Sequence, residues 1–377
     1  MSDWSLELEF LAKKLGLGAA NAARAIQSAL TDAPFEVLAY RGYGNGVQAH
    51  VYGRVVKRIG ATASTERDTL VTNLLNTYRR ADADPLPRAD VKVQFADTAA
   101  DFKADNEGYF GGWVTSEAAK HHSEWHDYHA ELPSALPGSG EPVKGSGEIM
   151  IPPKSARFAV ISDIDDTVIQ SRVSNFIVAA RTVMLGNART RLPFHGVAAF
   201  YRALRGGAGG SDNNPVFYVS SSPWNIYDVI AEFMHLQNIP KGPLLLRDWD
   251  VSFSALRSDR HFEHKGVAIR NVIQLYPDLQ FVLIGDTSQH DPEIYRRIVA
   301  EFPDRIRAIY IRDVTRSPAR AASVRKLADE VAESSSTLVL SEDTLGAARH
   351  AVQHGLIAEA TLAEVGEEKR ADEGSAP

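Results

Sequence analysis

Two groups of acidic residues in the second half of the chain have the spacing of a reactive site. The first group is Asp163, Asp165 and Asp166 in the segment DIDDT, and the second is Asp286 and Asp291 in GDTSQHD. Carboxylates packed this closely repel one another, and their pKa values rise unless a cation balances them. A bound divalent metal supplies that balance, and hard oxygen ligands favour Mg²⁺.

A hydroxyl and an ammonium accompany these acids. Ser220 follows the apolar run PVFYV, and Lys265 lies 21 residues before Asp286 at the predicted start of a helix. Carboxylates, Mg²⁺ and a lysine together suit phosphoryl transfer, which needs in-line positioning and neutralisation of charge. An aspartate in such a site can also act as the nucleophile and form an aspartyl-phosphate. Ser221 and Ser222 are alternatives to Ser220, because the triple serine leaves the register open by one residue.

A structural interpretation of the same residues also stays open. Asp or Ser at the end of a strand is often a helix N-cap, which applies to Ser220 as well as to Asp291. Asp291 precedes a proline, as a cap residue often does. If these residues were only unrelated helix caps, however, there would be no reason for the acids, the serine and the lysine to follow one another in this order on these strands and helices.

Short apolar segments alternate with helical patterns from residue 155 onward. The six predicted strands are RFAVIS, PVFYVSS, GPLLLR, QFVLIGD, RIRAIYIRD and STLVLS. Predicted helices separate most of them, around residues 196–205, 224–237, 265–276, 291–301 and 317–333. This alternation is typical of an α/β fold with a doubly wound, mostly parallel sheet. Ligands bind beyond the carboxyl ends of the strands in such sheets, which is where Asp163, Ser220 and Asp286 fall.

The first part of the chain has a different pattern. Segments such as GVQAHVYGRVV and DVKVQFA alternate polar with apolar residues, so residues 31–150 predict a small, mainly β, sandwich-like domain. Residues 1–30 have helical spacing and predict an N-terminal helix. A stretch rich in Pro, Gly and Ser at 131–154 predicts a linker, after which the α/β domain covers 151–365. The charged tail, 366–377, is predicted to be disordered.

Composition excludes several classes of protein. The chain has 377 residues, of which 44% are hydrophobic and 24% charged, so we expect about two globular domains rather than a disordered or fibrous chain. The net charge of −7 disfavours nucleic-acid binding through bulk charge. The absence of cysteine excludes a disulfide framework and a thiolate nucleophile. No targeting segment or apolar span is evident, so we expect a cytoplasmic protein, which leaves peripheral membrane contact open.

The motifs, taken in order, resemble those of the haloacid-dehalogenase-like phosphatases. They are DIDDT after an apolar strand, Ser220 after the next strand, Lys265, and GDxxxxD at 285–291. The resemblance covers roughly residues 155–315. Four longer segments are similar to the actin-patch-associated phosphatidate phosphatase family: DIDDTVIQS, YVSSSPWNIYD, LLLRDWD and HKGVAIRNVIQLYPDLQFVLIGDTSQHDPEIY. The preceding GYG…GRV β-domain is similar to the one that precedes the catalytic domain in that family. Lipins carry a related DxDxT site on a different architecture.

The resemblance implies Mg²⁺-dependent hydrolysis of phosphatidate to diacylglycerol and phosphate. Three alternatives stay open. A phosphatase of the same superfamily acting on a soluble phosphomonoester or a phosphoprotein would keep every motif. A response-regulator-like phosphoacceptor would stop at the aspartyl-phosphate. A non-enzymatic adaptor would bind a membrane or a partner through its β-domain.

The resemblance also implies roles for the acidic residues. Asp163 would be the nucleophile and a Mg²⁺ ligand. Asp165 would be the general acid and then the general base, with its backbone carbonyl on the metal. Asp286 would ligate Mg²⁺ directly or through water, and Asp291 would support it.

The remaining motif residues would act on the phosphoryl group. Thr167 and Ser220 would hydrogen-bond its oxygens, and Lys265 would neutralise charge on it and on the nucleophile. Asp166 occupies a position where many superfamily members have Gly, so no role beyond packing or a turn is expected for it.

An arginine-rich segment follows the first acidic motif. Between Asp166 and Asp212 there is no acidic residue. The segment carries six arginines: Arg172, Arg181, Arg189, Arg191, Arg202 and Arg205. In a chain of net charge −7, this asymmetry fits a phosphate presented on an anionic membrane, but it also fits an ordinary helix with a solvated face.

The segment HHSEWHDYH offers a second hypothesis for a metal site. Strand alternation would place His122, Glu124 and His126 on one face, as metal ligands require. A solvated strand face is the alternative interpretation.

Overall fold

The computed structural model describes residues 35–57, 83–115, 123–133, 142–168, 195–247 and 258–373. In this part of the chain there are two β-sheets and seven α-helices. The predicted N-terminal helix at 1–30 lies outside the described residues. None of the described helices combines the length and the apolar character that crossing a bilayer requires.

The first sheet has eight strands from the first part of the chain. They are β1 Phe35–Ala39, β2 Gly42–Gly44, β3 Gln48–Lys57, β4 Asp90–Phe95, β5 Thr98–Lys103, β6 Tyr109–Thr115, β7 Trp125–Glu131 and β8 Lys144–Met150. Their order is β1-β3-β2-β8-β7-β4-β5, and β6, which is not part of this path, also pairs with β3. All pairs are antiparallel except β2–β8. In β4 the alternation predicted from the sequence is present, because Val91, Val93 and Phe95 are buried.

Strand β8 corrects the predicted linker. Residues 131–154 were expected to connect two domains, yet β8 occupies the middle of the first sheet, between β2 and β7. Residues 134–141 of this stretch lie outside the described part of the chain, and Gly145 and Gly147 in β8 permit close packing. A Cβ at Gly145 would lie 2.1 Å from the Val37 carbonyl oxygen, and a Cβ at Gly147 would lie 2.4 Å from the Tyr128 ring. Composition alone does not separate these two uses of glycine.

The second sheet has six strands, all parallel. They are β9 Phe158–Asp163, β10 Val216–Pro223, β11 Leu244–Arg247, β12 Gln280–Asp286, β13 Ile306–Arg312 and β14 Thr337–Ser341. Their order in space is β11-β10-β9-β12-β13-β14, so the direction of winding reverses between β9 and β12. Every residue of β9 is buried, as in a parallel strand covered on both faces. The six strands fall on the six segments predicted from the sequence.

Helices cover both faces of this sheet. They are α1 Val197–Gly206, α2 Tyr227–Leu236, α3 Ser258–Leu275, α4 Asp291–Glu301, α5 Pro318–Ala332, α6 Thr344–Gln353 and α7 Thr361–Glu373. Helices α1, α2, α6 and α7 pack on one face, and α3, α4 and α5 pack on the other. Side-chain caps begin two of them, since Ser317 accepts from the amide of Arg320 in α5 and Asp343 accepts from that of Gly346 in α6.

Residues 366–373 of the predicted disordered tail are helical, as the C-terminal part of α7, and residues 374–377 lie outside the described part of the chain. Val365 is completely buried in the core, and Arg202 of α1 binds Glu364 and Glu368 at 2.7 and 2.8 Å. The charged composition therefore reflects ion pairs with a distant helix. A compositional argument cannot detect such pairs.

Candidate active site

The reversal of strand order brings the two acidic motifs together. Strand β9 ends at Asp163 and its neighbour β12 ends at Asp286, and the register pairs Ile284 with Ser162 near these ends. In open parallel sheets, the crevice at such a reversal point is the usual place for a ligand. The topology thus places the expected chemistry at the expected edge.

Three buried carboxylates at this edge are arranged so that they could hold a metal ion. Asp163, Asp286 and Asp291 each offer an oxygen within 4.8 Å of the other two, and each is at most 1% exposed. It is the one such cluster of potential ligands found in the described part of the chain. Because buried charges require compensation, and the donors are all hard oxygens, this acid triad fits a hard divalent cation.

Lys265 enters the acid triad from helix α3. Its Nζ lies 2.7 Å from Asp163 Oδ1 and 2.8 Å from Asp291 Oδ1, and it also donates to Gln289 Oε1 at 3.1 Å. Burial opposes the positive charge on Lys265, but the two carboxylates outweigh burial and raise its pKa. The side chain is thus held as an ammonium against the acids.

The acids themselves have perturbed pKa values. Burial raises the pKa of Asp163 well above its usual range, Lys265 opposes that rise, and Asp291 adds to it. For Asp286, burial and then the charge of Asp291 raise the pKa to about 6, against hydrogen bonds from Ser288 that lower it. One ammonium therefore does not balance the triad, and a bound cation would lower both pKa values.

Thr167 links the two acidic motifs. Its Oγ1 lies 3.3 Å from Asp163 Oδ2 and 3.2 Å from Asp286 Oδ2. Residue Asp166, just before it, has a φ of 57°, the left-handed region that favours Gly and tolerates Asp. Asp166 therefore makes the turn that the sequence suggested, and its Oδ2 accepts a hydrogen bond from Ser288 Oγ at 3.3 Å.

The Asp165 carboxylate accepts hydrogen bonds from the serines of β10. Ser220 Oγ donates to Asp165 Oδ2 at 2.7 Å, and Ser222 Oγ lies 3.4 Å from the same oxygen. The Ser222 amide in turn donates to Ser220 Oγ at 2.9 Å. Of the three serines, Ser220 and Ser222 thus face Asp165, and Ser220 is fully buried.

All seven residues predicted for the site lie at this edge of the sheet. Asp163, Thr167, Lys265, Asp286 and Asp291 form one connected network, and Asp165 with Ser220 forms a pair beside it. The cap interpretation does not hold for Asp291, because residue His290 is the N-cap of α4 and the Asp291 side chain binds Lys265. Nor does it hold for Ser220, which lies within strand β10.

The sequence interpretation missed three contributors. The Ser288 backbone N–H donates a hydrogen bond to Asp286 Oδ1 at 2.5 Å, and the Gln289 side chain accepts a hydrogen bond from Lys265. Gly285 permits the close approach of Asp291, because a Cβ there would lie 2.6 Å from Asp291 Oδ2. All three lie inside GDTSQHD, so the motif itself was a signal that the segment between its acids is also part of the site.

The second hypothesis for a metal site finds no support in the described residues. Glu124 forms a double hydrogen bond with Arg205 of α1, at 2.8 and 2.5 Å, and His122 lies outside the described residues. Arg202 and Arg205 of the arginine-rich segment are both in ion pairs. The other four arginines of that segment lie in 169–194, outside the described residues.

A cleft of about 1000 Å³ adjoins the site at the ends of β13 and β14. Asp166 and Ser288 form the wall next to the acid triad. The remaining lining is mostly charged or polar and includes Arg312, Asp313, Arg316, Arg325, Asp343 and Lys369. A bound molecule extending from the acid triad would therefore meet polar groups on this side.

The fold and the site together define a parallel α/β protein whose buried carboxylates and lysine are suited to a cation and a phosphoryl group. Residues 158–313 match the family described as Phosphatidate phosphatase APP1, catalytic domain. The resemblance to the actin-patch-associated phosphatidate phosphatases is thereby confirmed over these residues, which include all seven site residues.

Curated relatives match over the same region. Phosphatidate phosphatase APP1 of Saccharomyces cerevisiae is 30% identical over 154 residues, which are 41% of this chain and 25% of that protein. An uncharacterized protein of Schizosaccharomyces pombe is 31% identical over 158 residues, again 41% of this chain and 25% of that protein. The chain thus matches about a quarter of the length of each relative.

Among solved structures, a carbohydrate acetylesterase from Xanthomonas citri is similar at 11% identity. The comparison covers 89% of this chain and 72% of the esterase, with a TM-score of 0.28. This score is too low to indicate a shared fold.

Proposed function

We propose that this chain is a Mg²⁺-dependent phosphatidate phosphatase with a haloacid-dehalogenase-like, doubly wound catalytic domain behind an N-terminal β-domain. The observation that carries the proposal is the contact of Lys265 with Asp163 and Asp291 inside the acid triad, at the point where the strand order reverses. The match of residues 158–313 to a phosphatidate phosphatase catalytic domain supports the substrate. We also propose a cytoplasmic location with peripheral contact to anionic membranes, which cell fractionation would test.

Asp163, Asp286 and Asp291 would hold Mg²⁺, together with the backbone carbonyl of Asp165. The ion would supply neutralisation of charge on the phosphoryl oxygens. Lys265 adds a second positive charge beside Asp163. Thr167 and Ser220, whose hydroxyls donate to carboxylates of the site in the absence of substrate, would donate hydrogen bonds to phosphoryl oxygens when the substrate binds.

In the first proposed step, a carboxylate oxygen of Asp163 attacks phosphorus. A bond forms between that oxygen and phosphorus, the bond from phosphorus to the leaving oxygen breaks, and Asp165 gives its proton to the leaving alkoxide. In the second step, Asp165 takes a proton from water, and the water oxygen bonds to phosphorus. Phosphate leaves and the Asp163 carboxylate is restored. Before substrate binds, the hydrogen bond from Ser220 orients the Asp165 carboxylate, the group that would carry the proton in both steps.

A second candidate is hydrolysis of a soluble phosphomonoester or a phosphoprotein. The charged side chains that line the cleft beside Asp166, among them Arg316 and Arg325, favour it, since they offer partners to a polar substrate. Phosphate release from phosphatidate vesicles, sugar phosphates, nucleotides and phosphopeptides, each with Mg²⁺, separates the two. Faster turnover of a soluble substrate than of phosphatidate would favour the second candidate.

The reaction class is tested with Asp163→Asn. The variant should fold normally and lose at least about 1,000-fold in phosphate release, because the amide cannot act as the nucleophile. Asp278→Asn is a matched control, since this exposed aspartate precedes the opposite end of β12 and its loss should leave activity unchanged. EDTA should abolish the activity of the wild-type chain and Mg²⁺ should restore it. Retained activity in Asp163→Asn would remove the nucleophile assignment, and vesicle binding without any turnover would favour the adaptor.

A further inference from the structure

Ser220 lies in a bulge of strand β10, where the register with β11 shifts between Val219 and Pro223. The strand pairs with β9 as far as Val219, opposite Asp163, and with β11 at Val219–Leu245 and then at Pro223–Arg247. Three residues of β10, Ser220 to Ser222, thus face one residue of β11. Such a bulge redirects side chains, and here it aims two serines at Asp165. Its geometry depends on what fixes the chain at both ends.

The second sheet fixes one end of this bulge, and Trp224 fixes the other. Trp224 follows Pro223 directly, is 5% exposed, and lies in an aromatic stack with residues of the first sheet. Its ring centroid is 4.1 Å from that of Tyr52 at 17° and 5.3 Å from that of Tyr40 at 13°. Tyr227 at the start of α2 completes the stack, 4.2 Å from Tyr40. Strand β3, through Tyr52, and the connection between β1 and β2, through Tyr40, thus meet the chain four residues after Ser220.

The first sheet is shaped to hold these rings. The Tyr128 hydroxyl lies 2.7 Å from the carbonyl oxygen of Tyr40 and 2.8 Å from that of Tyr52, which ties the two segments together. A Cβ at Gly111 would lie 2.5 Å from the Tyr52 ring, so the glycine permits the ring to lie where it does. The Arg41 amide also donates to the Tyr227 hydroxyl at 2.9 Å. These contacts limit the movement of the rings that touch Trp224.

Other contacts join the two sheets without touching the bulge. The Tyr276 hydroxyl donates to the Gly44 carbonyl oxygen at 2.9 Å, and Lys241 binds Glu148 at 2.6 Å. Tyr276 packs on the opposite face of the second sheet from Trp224. The two sheets therefore also contact each other away from the aromatic stack. Weakening one of these contacts is a control for a general loss of packing between the sheets.

We propose that Tyr52 and Tyr40 are positioning residues: through Trp224 they hold the Ser220 bulge, and with it the Asp165 side chain, in place for proton transfer. The inference rests on the proposed function for its catalytic consequence. On this account, the first sheet is a working part of the active site. Loss of the Tyr52 ring would lower turnover, because a displacement of about 1 Å in a catalytic group can cost up to about 100-fold in rate.

The test compares Tyr52→Leu with Tyr52→Phe, and with Tyr276→Leu as a matched control. We expect Tyr52→Leu to lower kcat about tenfold with a much smaller change in KM, and Tyr52→Phe to restore kcat because the stacked ring remains. Tyr276→Leu should lower the melting temperature at least as much yet leave kcat unchanged. Gly111→Ala, whose Cβ would lie 2.5 Å from the Tyr52 ring and so displace it, should behave like Tyr52→Leu.

Hydrogen–deuterium exchange of the amides of Ser220, Ser221, Ser222 and Trp224 gives a readout that does not depend on activity, and this set leaves out Phe217, against which Tyr276 packs. Exchange there should be faster in Tyr52→Leu and unchanged in Tyr276→Leu. A wild-type kcat together with wild-type exchange in Tyr52→Leu would overturn the proposal, as would an equal loss of kcat in Tyr276→Leu. If the wild-type chain released no phosphate from any substrate, the proposed function would fail, and the exchange result alone would decide whether the stack holds the bulge.

Discussion

Asp163 and Lys265 form a buried ion pair, with 2.7 Å between Oδ1 and Nζ and with both side chains almost fully excluded from solvent. The charges of the site are not balanced. The Lys265 ammonium also pairs with Asp291, and a third carboxylate, that of Asp286, lies beside these two acids. A single lysine thus reduces the repulsion among three acids without cancelling it. This residual negative charge would favour binding of a cation.

Replacing Lys265 tests how this charge balance controls activity. Lys265 lowers the pKa of Asp163, so Lys265→Met should raise it further. A protonated carboxyl neither attacks phosphorus nor holds a cation, so the acid limb of the kcat/KM profile should move to higher pH. Activity near neutrality should fall by about 100-fold. Lys326→Met, at an exposed position on α5, is the control. An unchanged acid limb in Lys265→Met would contradict the account.

Gly285 tests the placement of Asp291. A methyl group there would meet the Asp291 carboxylate and its Cβ at 2.6 to 2.9 Å, so Gly285→Ala should displace the side chain. Half-saturation with Mg²⁺ should then need about tenfold more metal, as is typical when the support of a metal ligand is disturbed. Gly206→Ala is the matched control, because a Cβ at Gly206 would have no neighbouring atom within 4 Å. Titrations of activity against Mg²⁺ would show the difference. Equal curves for Gly285→Ala and the wild type would contradict the claim that the position of Asp291 depends on the absence of a side chain at Gly285.

The left-handed turn at Asp166 makes a separate prediction about stability. Asp166→Gly should fold as well as the wild type, because glycine accepts a φ of 57° without steric cost. Asp166→Val should lose about 1–2 kcal/mol of unfolding free energy, since a β-branched residue is strained in this conformation. Activity should fall with it, because Asp165 and Thr167 flank the turn. Thermal melts measure the first effect, and a valine variant as stable as the glycine variant would argue against a strained turn.

The strands and the site were predictable from the sequence because both depend on local order. Apolar runs such as QFVLIG define buried strands, and a parallel sheet brings the residues at the carboxyl ends of its strands together wherever those residues lie in the chain. Asp163 and Asp286, which are far apart in sequence, are therefore neighbours for a topological reason. The same argument placed Lys265 at the edge, on the helix preceding β12.

The remaining features depend on tertiary contacts that no local pattern contains. Gly145 and Gly147 resembled a linker, although they allow β8 to pack against neighbouring side chains and backbone. Glu368 and Lys369 resembled a disordered tail, although they form ion pairs with Arg202 and Asp343. The stack of Tyr52 on Trp224 joins residues from separate sheets. Periodicity identifies an element, but it does not identify the partner that the element packs against.

The most direct test of the central claim is anomalous diffraction from crystals of the wild-type chain grown with Mn²⁺, a substitute for Mg²⁺ that prefers the same oxygen ligands. The account predicts one strong anomalous peak at the carboxyl end of β9, within coordination distance of carboxylate oxygens of both Asp163 and Asp286. Crystals of Asp286→Asn grown in the same way should lose that peak or show it much weakened. A peak elsewhere, or one that contacts neither Asp163 nor Asp286, would contradict the account.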